Sequence, residues 1–319
     1  MSIAEEIQRI KQAKSDIKTS IINKGVAVDD AATLDTYPAL IDSIQTGGST
    51  TTVYKLKNGT KLGNSTFTVW NGQYDLSEIQ DFSNFFSGVP LTEVIKEIDL
   101  SNCTREFNMF RGTNLRNIDD TNFKLVGTEK MTHYRYFFAD CGDLDWMNAT
   151  IDCSGAINLS SMFRNCTELR QVYGIKNTQN VTNMPYMFYG CNNFDEFKCD
   201  KSFVTDSVTD ITQMFYYSTV TSLPKWNFSN VTGYTGAFNG CTSLTTLAGF
   251  TGLKASLSLS DCPLTVESIN NVINEMYDFT GNGVTPSSGQ GTLTLGATNL
   301  AKLSDEEKAV ATNKGWTLA

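Results

Sequence analysis

Phenylalanine returns seven times in one frame, at Phe86, Phe110, Phe138, Phe163, Phe188, Phe215 and Phe238, with spacings of 24, 28, 25, 25, 27 and 23 residues. Five or six residues after each comes an apolar residue: Leu91, Leu115, Leu144, Leu169, Phe194, Val220 and Leu244. Three further on comes another: Val94, Ile118, Met147, Val172, Phe197, Leu223 and Leu247. The residue before the phenylalanine is often apolar too, as at Met109, Phe137, Met162, Met187 and Met214. A unit of this size cannot bury its own apolar face. Stacked units can, so the repeat predicts a solenoid. In each unit a pair such as Met162-Phe163 is expected to end a short helical or 3₁₀ turn. A Cys-x-x-Leu step closes it, and Leu-x-x-Val forms one short strand, with strands of successive units about 4.8 Å apart.

Four of the eight cysteines occupy one repeat position: Cys141, Cys166, Cys191 and Cys241. Thr113 and Ser218 stand there in two other units, so disulfide pairing is not required and free, buried thiols are expected. The chain has no Cys-x-x-Cys pair and one histidine, His133, so no zinc site is expected. Charged residues make up 18% of the 319 and the net charge is −9, which argues against a nucleic-acid partner, since phosphate binding needs a basic stripe. The opening MSIAEEIQRIKQAK does not read as a secretory signal, and no run of 18 apolar residues occurs, so no membrane insertion is expected.

The segments VTNMPYMFYGCNNF (181–194) and LSSMFRNCTELRQV (159–172) resemble the BspA-type leucine-rich repeat, roughly V-T-N-M-x-x-M-F-x-x-C-x-x-L, over about residues 75–275. The closing GTLTLGATNLAKLSDEEKAVATNKGWTLA resembles the C-terminus of repeat proteins in bacteriophage virions. The resemblance implies a curved solenoid used in surface attachment, with no catalytic residues and no cofactor.

Around the repeats, Ile3, Ile7, Ile10, Lys14, Ile17 and Ile21 form a heptad. Isoleucine at both seam positions favours three or more strands. The readings are a homotrimeric coiled coil or a helix docked on its own chain or a partner. Leu34, Tyr37, Ile41 and Ile44 share a second helical face. The expected organisation is an α+β repeat protein. Residues 1–46 form a helical anchor or oligomerisation segment, 47–51 a linker and 52–78 an N-terminal cap hairpin turning at Asn58-Gly59. Residues 79–260 form the leucine-rich-type repeats and 261–319 a C-terminal cap. In the last, SINNVINEMYDF and SDEEKAVATNKG read as helices, the second with a capping box from Ser304 to Glu307 and a C-cap at Gly315, and TLTLG as a strand.

One histidine leaves little room for a nucleophile–base pair, and His133 reads as an exposed turn residue. Binding is the better reading. The two x residues of each Leu-x-x-Val segment form a ladder down the stack, and the candidate face is Asp145, Trp146, Arg170, Gln171, Asp195 and Glu196. Trp146 is either an exposed anchor or core, and Arg170 and Asp195 are placed for a cross-rung ion pair. The functional expectation is a virion structural protein, a head or tail fibre made in the host cytoplasm. Its N-terminus would join other virion proteins and its solenoid a host glycan or protein. The rivals are a bacterial surface adhesin and a polysaccharide-cleaving tailspike.

Overall fold

Each phenylalanine of the column sits in a turn whose backbone is left-handed two residues before it and two residues after it. In the computed structural model, which describes residues 54–319 together with Ile17 and Thr19, both positions hold φ between 51° and 75° in all seven units. The earlier position is Asn84, Asn108, Tyr136, Ser161, Tyr186, Gln213 and Gly236. The later one is Gly88, Gly112, Asp140, Asn165, Gly190, Tyr217 and Gly240. Left-handed residues cannot continue an α- or 3₁₀-helix. The expected short helix is therefore absent, and a looped turn takes its place.

The loop solves a hydrogen-bonding problem. Alternate amides close turns within the unit, as Ala139 N–H to Tyr136 O does at 3.1 Å, and the others bond to the next unit: Phe138 N–H donates to Met162 O at 2.9 Å, Phe163 N–H to Met187 O at 3.0 Å and Phe188 N–H to Met214 O at 2.8 Å. Successive rungs are thereby locked in register and the rings stack. From Phe86 to Phe238, neighbouring rings of the column lie 5.2–5.8 Å apart and 6–20° from parallel. All seven are buried, each contributing about 1.5–3 kcal/mol by burial.

The cysteine position has a specific task. Cys141, Cys166, Cys191 and Cys241 donate Sγ–H to the phenylalanine carbonyl one rung back at 3.0–3.1 Å. Thr113 instead donates its hydroxyl to Phe110 O of its own rung at 2.9 Å and meets Cys141 Sγ at 3.3 Å, and Ser218 Oγ accepts Val220 N–H at 3.4 Å, so the hydroxyls find local partners in place of the inter-rung bond. All eight cysteines are free.

The Leu-x-x-Val segments give a six-stranded parallel sheet in chain order: Asn117–Ile118, Trp146–Met147, Gln171–Val172, Glu196–Phe197, Ser222–Leu223 and Thr246–Leu247. One strand per unit was expected, but a second column runs beside it. Glu93–Asp99 pairs with Phe123–Val126, Ile151–Asp152 with Ile175–Lys176, and Trp226–Asn227 with Phe250–Thr251, all parallel. Between the last two pairs the column is broken, and buried threonines bridge the break. Thr178 Oγ1 donates to Val204 O and accepts from Val204 N–H, both at 2.7 Å. Thr205 Oγ1 does the same with Asn227 at 2.9 Å.

The N-terminal cap is not a hairpin. Asn58-Gly59 does turn, with Gly59 at φ 86°, but Tyr54–Lys55 pairs parallel with Tyr74–Asp75 and Val69–Trp70 parallel with Glu93–Val94. The turn folds the chain within a rung, and Asn58 Oδ1 accepts the Gln80 and Asp81 amides of the next one. At the other end, helix α1 (Val266–Glu275) buries Ile269, Val272 and Ile273 and closes the last strand edge with side chains. Ser268 Oγ accepts Leu247 N–H and donates to Thr245 O, both at 3.0 Å, and Asn271 donates to Leu247 O at 3.1 Å. Two further helices follow, α2 (Gly296–Leu300) and α3 (Asp305–Asn313), the latter with the expected Ser304–Glu307 capping box and Gly315 at φ 83°. Three parallel strands, Leu257–Ser258, Thr292–Thr294 and Thr317–Leu318, complete this cap.

The linker and the seam residues Ile3, Ile7, Ile10 and Ile21 lie outside the described residues. Ile17 is helical and exposed.

Candidate binding surface

The strand register brings the expected ladder together. Asn117, Trp146, Gln171, Glu196, Ser222 and Thr246 fall in one line across the six strands. The line is set by period-two alternation, since the next residue of each strand, from Ile118 to Leu247, points into the core and is buried. Beside it runs a second line, Arg116, Asp145, Arg170, Asp195, Thr221 and Thr245, joined by backbone bonds such as Arg170 N–H to Asp145 O at 2.7 Å and Asp195 N–H to Arg170 O at 3.0 Å.

Within this face, Asp145, Trp146, Arg170, Gln171 and Asp195 line a shallow cavity of about 170 Å³. Trp146 is half-buried, neither free nor core. Arg170 does pair across rungs, but with Asp145 rather than Asp195: Nε reaches Oδ1 and Nη2 reaches Oδ2, both at 2.5 Å. This fork holds the Asp145 carboxyl below its usual range and raises the guanidinium. Glu196 pairs with Lys198 at 2.8 Å, and Tyr173 donates to Gln171 Oε1 while lying under Lys198 at 5.9 Å. Tyr173 and Lys198 therefore belong to the face. They directly follow the last apolar residue of the Leu-x-x-Val frame, where the sequence shows no repeat. The cavity is smaller than a small-molecule pocket, and the face is suited to extended contact.

Two larger hollows of about 530 Å³ lie elsewhere. One involves Trp70, Tyr74 and Lys96, the other Phe203, Lys225 and Trp226 at the break in the second strand column.

The chemistry-bearing groups are otherwise internal. His133 is half-buried rather than an exposed turn residue, because it bridges to Asn158 as one rung of a further backbone column. Its amide donates to Glu106 Oε1 at 2.6 Å. Glu106 is 3% exposed and occupies the position filled by Phe82, Tyr134, Leu159, Met184, Ile211 and Tyr234 in the other units. Burial pushes its pKa up to about 7. The anomaly is visible in the alignment of the repeats, as a carboxylate in an otherwise apolar or aromatic column. Burial likewise raises the thiols, Cys141 to about 11 and Cys199 to about 12. Among the described residues, no group of three histidine, cysteine, aspartate or glutamate side chains is placed to hold a metal ion. No described helix is long and apolar enough to cross a membrane.

A family model described as "Mycoplasma protein of unknown function, DUF285" matches residues 56–171 and again 132–249, together more than half of the chain. The chain belongs to the DUF285 family. It is a BspA-related repeat protein, and the two matches overlap over residues 132–171. No curated protein and no solved structure matches it. The DUF285 match spans the phenylalanine column and the sheet ladder and stops short of the C-terminal cap.

Proposed function

We propose that this DUF285 protein is a bacteriophage virion structural protein, a head or tail fibre whose solenoid binds the host surface. The observation that carries the reading is the sheet ladder. Side chains from six stacked strands are held in fixed register on an outer face, and Asp145, Trp146 and Arg170 surround a shallow hollow there. Such a face engages a glycan or protein by extended contact. The resemblance of residues 291–319 to virion repeat proteins supplies the particle. The isoleucine heptad supplies the assembly: Ile3, Ile7, Ile10, Ile17 and Ile21 join three chains, and other virion proteins dock at the same end. Trimerisation would multiply weak sites through effective concentration.

A second reading is a bacterial surface adhesin, favoured by the family's description as a Mycoplasma protein. Both readings place the ladder against a cell surface or its partner, and binding of the full-length protein tests it. Purified chain is expected to bind cells of the host strain, and Trp146→Ala with Arg170→Ala to weaken that binding about tenfold with unchanged circular dichroism. Undiminished binding by the double variant would remove the ladder from the function.

A further inference from the structure

The turn column carries a second exposed surface, distinct from the sheet ladder. Arg111 lies over the Tyr136 ring at 5.9 Å and Arg164 over Tyr189 at 5.2 Å. Tyr189 stacks on Tyr216 with centroids 5.2 Å apart and planes 3° from parallel, and Tyr216 meets Tyr217 edge-on at 4.5 Å. The strip thus runs along the solenoid from the Phe110 rung to the Phe215 rung.

Folding does not account for these side chains. Tyr136, Tyr186 and Tyr217 occupy left-handed positions, at φ 56°, 57° and 55°, where glycine, asparagine, aspartate, serine or glutamine stands in other rungs. A bulky residue there is strained. Tyr217 is also 58% exposed, so core burial does not offset that strain. Strained aromatic residues gathered on one face, half-buried at Tyr136 and Tyr186 and exposed at Tyr217, point to recognition. Arg164 adds a second sign. Its Nε is buried with no hydrogen-bond acceptor, although a guanidinium normally finds one. Arg111 by contrast is already paired, with Asp140 at 2.7 Å.

We propose that this strip binds an anionic polysaccharide, laid along the solenoid axis with its rings on the tyrosines and an acidic group on Arg164. The shape argues for a linear polymer: the strip is five rungs long and narrow, whereas the energy of a protein interface concentrates at the centre of a rounder patch. A polynucleotide also stacks on aromatic rings. It carries a phosphate at every residue, however, and needs a continuous cationic groove, whereas a polysaccharide can present a sparse acidic group to Arg164 while Arg111 stays paired with Asp140. The proposal does not depend on the role of the sheet ladder.

Calorimetric titration of the full chain with polygalacturonate, hyaluronate and dextran sulfate tests it, with neutral dextran and single-stranded oligothymidylate as comparisons. At least one anionic polysaccharide should bind about tenfold or more tighter than either comparison, and Tyr189→Ala with Tyr216→Ala should weaken it by a similar factor. Arg164→Gln should narrow the gap between anionic and neutral polymers. Tyr217→Gly should weaken binding while leaving Tm unchanged or higher, because it relieves backbone strain. That result separates a recognition role from a packing role even where another variant fails to fold. Failure of all three anionic polymers to bind, tighter binding of dextran or oligothymidylate, or wild-type affinity in Tyr217→Gly would overturn the proposal.

Discussion

Glu106 shows how a single residue departs from the rule its column sets. Its neighbours along the column are Phe82 and Tyr134, and the groups facing it are Asp81, Cys103, His133 and Tyr134. With a folded-state pKa of about 7 against an ordinary 4.5, the carboxyl binds its proton more tightly in the folded chain than in the unfolded one. Its contribution to stability is therefore full below pH 4.5 and is lost as pH rises through 7. Asp99 and Asp145, whose pKa values are lowered by bonds from Ser101 and Arg170, act in the opposite sense at lower pH. Their contribution is present above 3.8 and lost as pH falls below it. Glu106→Gln should raise stability by roughly 1–3 kcal/mol at pH 8 and leave it nearly unchanged at pH 4.5, measured by urea denaturation at both values. An equal effect at the two pH values would mean that the carboxyl ionises as freely in the folded chain as in solvent. The phenylalanine and cysteine columns were legible at this scale, because burial restricts what each position accepts and the cysteine position takes only small side chains. The later left-handed position was half legible through Gly88, Gly112 and Gly190. The earlier one, holding Tyr136, Ser161 and Gln213 beside Asn84, Asn108 and Gly236, carries a mixed residue signature, and for that reason the segment read as a short helical or 3₁₀ turn.

Among the elements, the second strand column escaped the sequence reading for a related reason. Beyond Glu93–Asp99 and Phe123–Val126 its strands are two residues long, as in Ile151–Asp152 and Ile175–Lys176, too short for alternation to show. The buried threonines at its break are equally silent in sequence, since threonine is common throughout the chain. Their role is nevertheless testable. Thr178 is fully buried, and its hydroxyl serves both polar groups of Val204. Thr178→Val keeps the shape but strands the half-buried N–H and carbonyl of Val204, which should cost about 1–3 kcal/mol in denaturant unfolding. Thr178→Ser should cost much less, since the hydroxyl stays. Equal losses in the two variants would show that packing of the methyl group, and not the bridge, matters at this site. The terminal helices were legible because they obey helical periodicity and capping, as Ser304 and Glu307 do. The N-terminal hairpin was misread because Asn-Gly signals a turn without specifying whether the flanking strands pair with each other or with the next rung.

For the whole molecule, the stack explains why the candidate face could be named in advance. Once each Leu-x-x-Val segment is a rung, its outward residues must align, and Trp146, Gln171 and Glu196 do. The partner of Arg170 could not be chosen from sequence, because Asp145 and Asp195 lie on adjacent rungs to either side of it. The proposed trimer belongs to this scale too. Full-length protein should sediment as a trimer, and Ile10→Asp with Ile17→Asp as a monomer with an unchanged solenoid, since charges in an apolar seam are costly to bury and the repeats hold their own core. A wild-type monomer would reduce the heptad to a docking helix. The most direct measurement of the proposed role is immunogold electron microscopy with antibody raised against the full chain, applied to phage particles and to cells of the host strain. Gold on fibres projecting from the particle is the expected result. Gold confined to the cell envelope, with particles unlabelled, would contradict the virion reading and leave the adhesin in its place.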